Sequence, residues 1–196
     1  MNFRLTSALA IVLLSAPQAY AQMPDRAPTD ALNAVSRLRN YTAFDWITAE
    51  FAKGVLTLRG LARSPQLKRE AEDTARKTRG IEEVTNLIEV LPAIASDDDV
   101  RIRAYSAIYG NPGLERYAPG GQMSDNTRRE LDDAKRIGLD GADVGRGYHP
   151  IHIIVSSGRV LLLGMVNSTG DKRTAEVALR TLPGVLDVTS QLRVAK

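Results

Sequence analysis

The 196-residue sequence has no cysteine. Disulfides, thiolate metal sites, cysteine nucleophiles and a lipid-modified cysteine are excluded with it. Aromatic residues make up only 5% of the chain, so its cores have to be aliphatic. Neither sign of charge dominates: 26 Lys and Arg stand against 23 Asp and Glu, a formal +3. The two signs are interspersed, whereas a nucleic-acid protein gathers its cations; the balance still allows local basic patches against anionic lipid or polymer. There is no G-x-S-x-G, no P-loop and no credible catalytic constellation, which argues against an enzyme.

Long apolar runs are also scarce. The N-terminus has Arg4 in a positive leader, an apolar stretch from Leu5 to Ala16, and Ala19-Tyr20-Ala21. That is the layout of an export signal, with cleavage expected after Ala21 and Gln22 first in the mature chain. The stretch stops at Pro17 and is too short to span a bilayer comfortably. The mature product is expected in the periplasm.

What the chain does have is an internal repeat. Aligned at an offset of 104, residues 54–90 match 158–194 without a gap, with 13 of 37 pairs identical. Among them are Gly54/Gly158, Gly60/Gly164, Ser64/Ser168, Lys68/Lys172, Gly80/Gly184 and Val84/Val188. Two copies of one unit are implied.

Ile47, Ala49 and Phe51 alternate with polar residues, as do Ile151, Ile153 and Val155, which is strand periodicity. Lys53-Gly54 and Ser157-Gly158 are tight-turn pairs, so each copy opens with a hairpin. Gly60 and Gly164 are read as a bend or bulge at its close. Ser64 then caps a helix with Pro65 at its first position. Leu67, Ala71, Ala75 and Thr78 share one face, as do Ala175, Ala178, Leu179 and Leu182 in the second copy. Gly80 and Gly184 are read as left-handed helix caps. A last strand follows, with Val84, Ile88 and Val90 inward, and Val188, Leu192 and Val194 in the second copy. A leading helix precedes each hairpin: Thr29 caps a run with Leu32, Val35 and Leu38, and the acids of Ser96–Asp99 head a run with Val100, Ala104, Ala107 and Ile108. The fold class is α+β, as two tandem αββαβ modules at 29–91 and 97–196. The linker is 92–96.

These segments resemble the BON domain family. The resemblance is carried by Lys53-Gly-Val-Leu-Thr-Leu-Arg-Gly60 and Gly80-Ile-Glu-Glu-Val-Thr-Asn86. In the second copy it is carried by Pro150-Ile-His-Ile-Ile-Val155, Gly158-Arg-Val-Leu-Leu-Leu-Gly164, Asp171-Lys172 and Pro183-Gly-Val-Leu-Asp-Val-Thr189. It implies a three-stranded mixed sheet per module with two helices on one face. It also implies a non-catalytic envelope role without a cofactor. Two-module relatives include a lipoprotein that binds anionic phospholipid and a soluble periplasmic protein with chaperone-like action. The expected function is envelope support by binding phospholipid surfaces, with a chaperone or adaptor for envelope proteins as the alternative. The family's connection before Pro150 is short; here an inserted arm spans about 119–149, with one candidate helix at Thr127–Ile137.

The expected binding residues fall into two groups. Lys68, Arg69, Arg76 and Lys77 form a basic helix face, interleaved with acids that offer i,i+4 pairs. Ile154, Leu161 and Leu163 form an apolar outer face on the second sheet, where the first copy has Glu50, Thr57 and Arg59. Such a face on a small module has to be covered, by the first module, by the arm, or by a ligand. Trp46, the only tryptophan, is expected in a core or between modules, and is a candidate lipid- or partner-binding residue if it is exposed. His149 and His152 are three apart, which in a strand sends them to opposite faces and excludes joint metal binding. Asp97, Asp98 and Asp99 read as acids of a helix first turn. Asp140 and Asp143 do not have EF-hand spacing. A polymer hydrolase using His149, His152 and Asp143 is a remote further reading.

Overall fold

Two type I′ turns organise the molecule. Lys53 and Gly54 have φ of +53° and +83°, and Ser157 and Gly158 have +52° and +72°. This geometry matches the right-handed twist of the strands it joins. The computed structural model describes residues 26–118 and 149–195. The export signal, the bulk of the arm, its candidate helix, Asp140 and Asp143 lie outside the described residues.

The first turn joins β1 (Trp46–Ala52) to β2 (Val55–Ala62), antiparallel with Trp46 opposite Leu61 and Ala52 opposite Val55. α2 (Pro65–Arg76) crosses over to β3 (Glu83–Val90), which lies parallel to β2. Ser64 caps α2, its hydroxyl accepting from the Leu67 amide at 3.1 Å, and Leu67, Ala71 and Ala75 face the sheet. α1 (Ala27–Val35) packs beside α2 on the same face. Helices therefore cover one face of the sheet and leave the other open.

The second module repeats this plan. α3 (Ala95–Tyr109) leads, β4 (Ile151–Ser156) and β5 (Arg159–Val166) form the hairpin, and α4 (Thr169–Arg180) crosses over. The third strand is broken into β6 (Asp187–Ser190) and β7 (Arg193–Val194), both parallel to β5. The molecule is α+β, with two sheets in two repeated modules and four α-helices among the described residues.

Several local expectations are corrected. α1 begins at Ala27 with Pro28 in its first turn, so Thr29 is inside the helix rather than its cap, and Leu38 lies past its end. Gly60 sits within the β1–β2 ladder and Gly164 at the end of the β4–β5 ladder, beside the gap between β6 and β7, and neither antiparallel register skips a residue. Their φ values are +130° and +121°. A Cβ would lie 1.9 Å from the Trp46 carbonyl oxygen or 2.1 Å from that of Pro150. Strand-to-strand approach explains these glycines. α2 and α4 end at Arg76 and Arg180, so Gly80 and Gly184 serve the following turn rather than the helix cap. Val90 and Val194 are exposed, not inward.

The two modules are not independent beads. Ala43 and Phe44, in the loop between α1 and β1, are fully buried in the core of the second module. Phe44 meets Tyr105 edge-on at 6.0 Å between centroids. The Ala43 carbonyl accepts from the Ile153 amide at 2.7 Å, on the side of β4 that β5 leaves unpaired. Asp45 holds this loop in shape. It accepts from the Thr42 amide and hydroxyl at 3.0 and 2.7 Å, and from the Arg63 amide at 2.7 Å.

Candidate functional site

The apolar outer face of the second sheet is built by alternation. His152, Ile154, Leu161 and Leu163 point away from α3 and α4 because Ile151, Ile153, Val160 and Leu162 point toward them. The structure covers that face with the first module. Ile154 and Leu163 are buried against Leu91, with Trp46, Leu61 and Leu161 half-buried around them. The helix-free faces of the two sheets thus meet, and the predicted apolar face is an internal seam covered by the first module. Trp46 lies in this seam, its ring 4.9 Å from that of His152.

Charge runs along the same junction. Arg101, fully buried on α3, pairs with Asp98 at 2.6 Å and donates to the Val155 carbonyl at 2.8 Å. Arg63 of the first module reaches the same Asp98 at 3.6 Å. Asp97 accepts from the Ser157 and Gly158 amides, each at 2.8 Å. The acids of the first turn of α3 therefore do more than face a helix dipole: Asp97 ties α3 to the β4–β5 turn, and Asp98 ties module to module. Only Asp99 is left exposed.

Asp171 stands where the first copy has Leu67. Its carboxylate accepts from the Tyr117 hydroxyl at 2.8 Å and pairs with Arg116 at 2.6 Å. Partial burial pushes its pKa up, but the hydrogen bonds from Tyr117, Ser168 and Arg116 outweigh that and hold it low. A core leucine has become a polar anchor at Tyr117, just before the inserted segment.

Beside the seam is a cavity of about 670 Å³. Leu32, Val35, Leu38 and Ile47 give it apolar walls, and His149 and His152 also line it. The histidines therefore border one space, contrary to the strand-alternation expectation. Position 149 precedes the strand, so the period of two does not reach it. His149 Nε2 lies 3.1 Å from the Tyr105 hydroxyl. His152 is wedged between Tyr41 and Trp46. Burial holds its pKa down at about 4, against the backbone carbonyls of Asp45 and Thr42 that favour the proton. Its Nδ1 is buried without a hydrogen-bond partner. Among the described residues no cluster of three potential metal ligands exists.

Arg37 and Arg39 are exposed and also line this cavity. Neither has an ion-pair partner among the described residues. Sequence reasoning missed them. They flank Leu38 in the turns that follow α1, where no period in the sequence singles them out.

On α2 and its C-cap Lys77, Arg69, Arg76 and Lys77 are exposed and Lys68 is half-buried. Arg76 is engaged by Glu72 at 2.5 Å, the expected i,i+4 pair. Arg69 and Lys77 make no ion pair among the described residues. No described helix is long and apolar enough to cross a membrane.

A family model described as BON domain matches residues 33–92 and 139–196. No curated protein matches. Solved structures with similarity include CdsD, a structural protein of the type III secretion system of Chlamydia trachomatis. That chain is 14% identical, with 85% of this chain and 92% of that chain covered and a TM-score of 0.25. Its C-terminal domain is 15% identical, with 85% and 98% covered and the same TM-score of 0.25.

Proposed function

The chain belongs to the BON domain family, and from that premise we propose that it is a non-catalytic protein of the periplasm that binds anionic phospholipid surfaces. The BON domain is known in phospholipid-binding envelope proteins, is generally non-catalytic and is typically periplasmic or envelope-associated. The observation that carries the reading here is the pair of exposed cations Arg69 on α2 and Lys77 at its C-cap, neither in an ion pair among the described residues. Cations near an anionic bilayer contribute about 1 kcal/mol each and lose that contribution with salt. The covered seam removes Ile154, Leu161 and Leu163 as the membrane contact, so the reading rests on electrostatics. The division into modules at 29–91 and 97–196, and export by cleavage after Ala21, belong to the same proposal.

The test is co-sedimentation with phosphatidylcholine vesicles, with and without phosphatidylglycerol, over a salt series. Binding is expected only with phosphatidylglycerol and should weaken as salt rises. Replacing Arg69 and Lys77 by Gln should weaken it roughly tenfold or more. No binding at physiological ionic strength would overturn the reading and shift the weight to protein clients, to be tested by protection of an unfolding envelope protein from aggregation.

A further inference from the structure

The cavity beside the seam has two parts of opposite chemistry. Its walls are apolar, from Leu32, Val35, Leu38 and Ile47, and Arg37 and Arg39 line it from exposed positions. Both guanidinium groups lack an ion-pair partner among the described residues. His152 also lines the cavity at 7% exposure, with its Nδ1 closed off from solvent. Apolar walls with a few placed polar groups are the usual make-up of a small-molecule site.

We infer that this cavity binds a single-chain amphiphile with an anionic head, its chain against Leu32, Val35, Leu38 and Ile47 and its head within reach of Arg37 and Arg39. Size matches one chain: at about 30 Å³ per water-sized group, the 670 Å³ cavity takes roughly twenty such groups, which suits one acyl chain and its head. The charge decides the head, because guanidinium forks suit carboxylate and phosphate oxygens. Those two heads are the two sources of the same chemistry, a fatty acid or a lysophospholipid. The site is separate from the α2 surface, and the inference does not depend on membrane binding.

The chain carries its own reporter. Trp46 is the only tryptophan, and its ring lies 4.9 Å from that of His152. The full chain is titrated with myristate, with 1-myristoyl-lysophosphatidylglycerol and with the zwitterionic 1-myristoyl-lysophosphatidylcholine, each below its micelle concentration. Trp46 fluorescence and equilibrium dialysis are read in parallel. Saturable one-to-one binding in at least one anionic arm is expected, and which arm saturates identifies the source. Arg37→Gln with Arg39→Gln should weaken it roughly tenfold. Asn33→Trp, at an exposed lining position, should block it sterically. An unchanged melting curve shows that either variant is folded. Absence of saturable binding in both anionic arms, equal binding of the choline lipid, or indifference to both variants overturns the inference. Vesicle binding without amphiphile binding would leave the membrane reading standing and remove this one; the reverse result would do the opposite.

Discussion

His152 is the residue at which the modules most directly sense acid. Its folded pKa of about 4 lies below the 6.5 of an unperturbed imidazole, so between those values the unfolded chain binds the extra proton. The stabilisation from keeping the ring neutral is complete above about pH 6.5, is lost as pH falls toward 4, and does not change further below that. A shift of this size corresponds to about 3 kcal/mol. Asp45 works the other way, since burial raises its pKa and acid protonates it more readily in the folded form. We expect urea unfolding at pH 4.5 to show markedly lower stability than at pH 7, with most of the difference absent in His152→Gln. An equal pH dependence in that variant would assign the effect elsewhere. A second residue-scale prediction concerns Gly164. Alanine there would place its Cβ 2.1 Å from the Pro150 carbonyl oxygen at a φ of +121°. Both strain and overlap oppose it, so a loss of at least about 2 kcal/mol is expected in the same assay. Stability within about 0.5 kcal/mol of the parent would show that the strands can separate there cheaply.

At the scale of elements, the α1–β1 loop belongs by sequence to one module and by packing to the other. Phe44 is fully buried among residues of α3, β4 and β5. Truncating a buried phenylalanine costs roughly 3–5 kcal/mol. Phe44→Ala should therefore lower the hydrogen-exchange protection of β4 and β5 amides at least as much as that of β1 and β2. Losses confined to β1 and β2 would contradict the packing. This scale also shows what periodicity could and could not reveal. The hairpins, the crossover helices and the repeat were legible because each follows a period of 2 or 3.6 set by its own side chains. The faces of Leu67, Ala71 and Ala75, and of Ala175 and Leu179, emerged for the same reason. Helix ends were misjudged where glycine came several residues after the last helical turn. The role of Gly60 and Gly164 was hidden because close approach of β1 or β4 is a contact distant in sequence. Alternation does not place His149, which lies two residues before the strand begins. Arg37 and Arg39 gain meaning only from the walls around them, which come from α1, β1 and β4 together.

For the whole molecule, the seam, the shared Asp98 and the exchanged loop predict one unfolding event. The first module's Trp46, Leu61 and Leu91 cover the second module's Ile154 and Leu163. Arg63 joins across to Asp98. Differential scanning calorimetry should then give a single transition in which calorimetric and van't Hoff enthalpies agree. Two separated transitions would show that the modules melt independently and that the seam contributes little. A sequence repeat alone suggests the latter, since matched copies imply self-sufficient units; the reason they are not lies in Ile154, Leu161 and Leu163, which are apolar where the first copy is polar.

The exchanged loop has a consequence for ancestry. A duplicated gene begins with two complete copies, each able to survive loss of the other. Once Ala43 and Phe44 had become part of the second copy's interior, that freedom ended. A fragment cut between the copies at residues 92–95 would leave the downstream half without a piece of its own centre. The upstream half would keep that piece exposed and unused. The self-sufficient unit is then the pair, and a second copy moved into another protein would carry a complete centre only if the loop travelled with it.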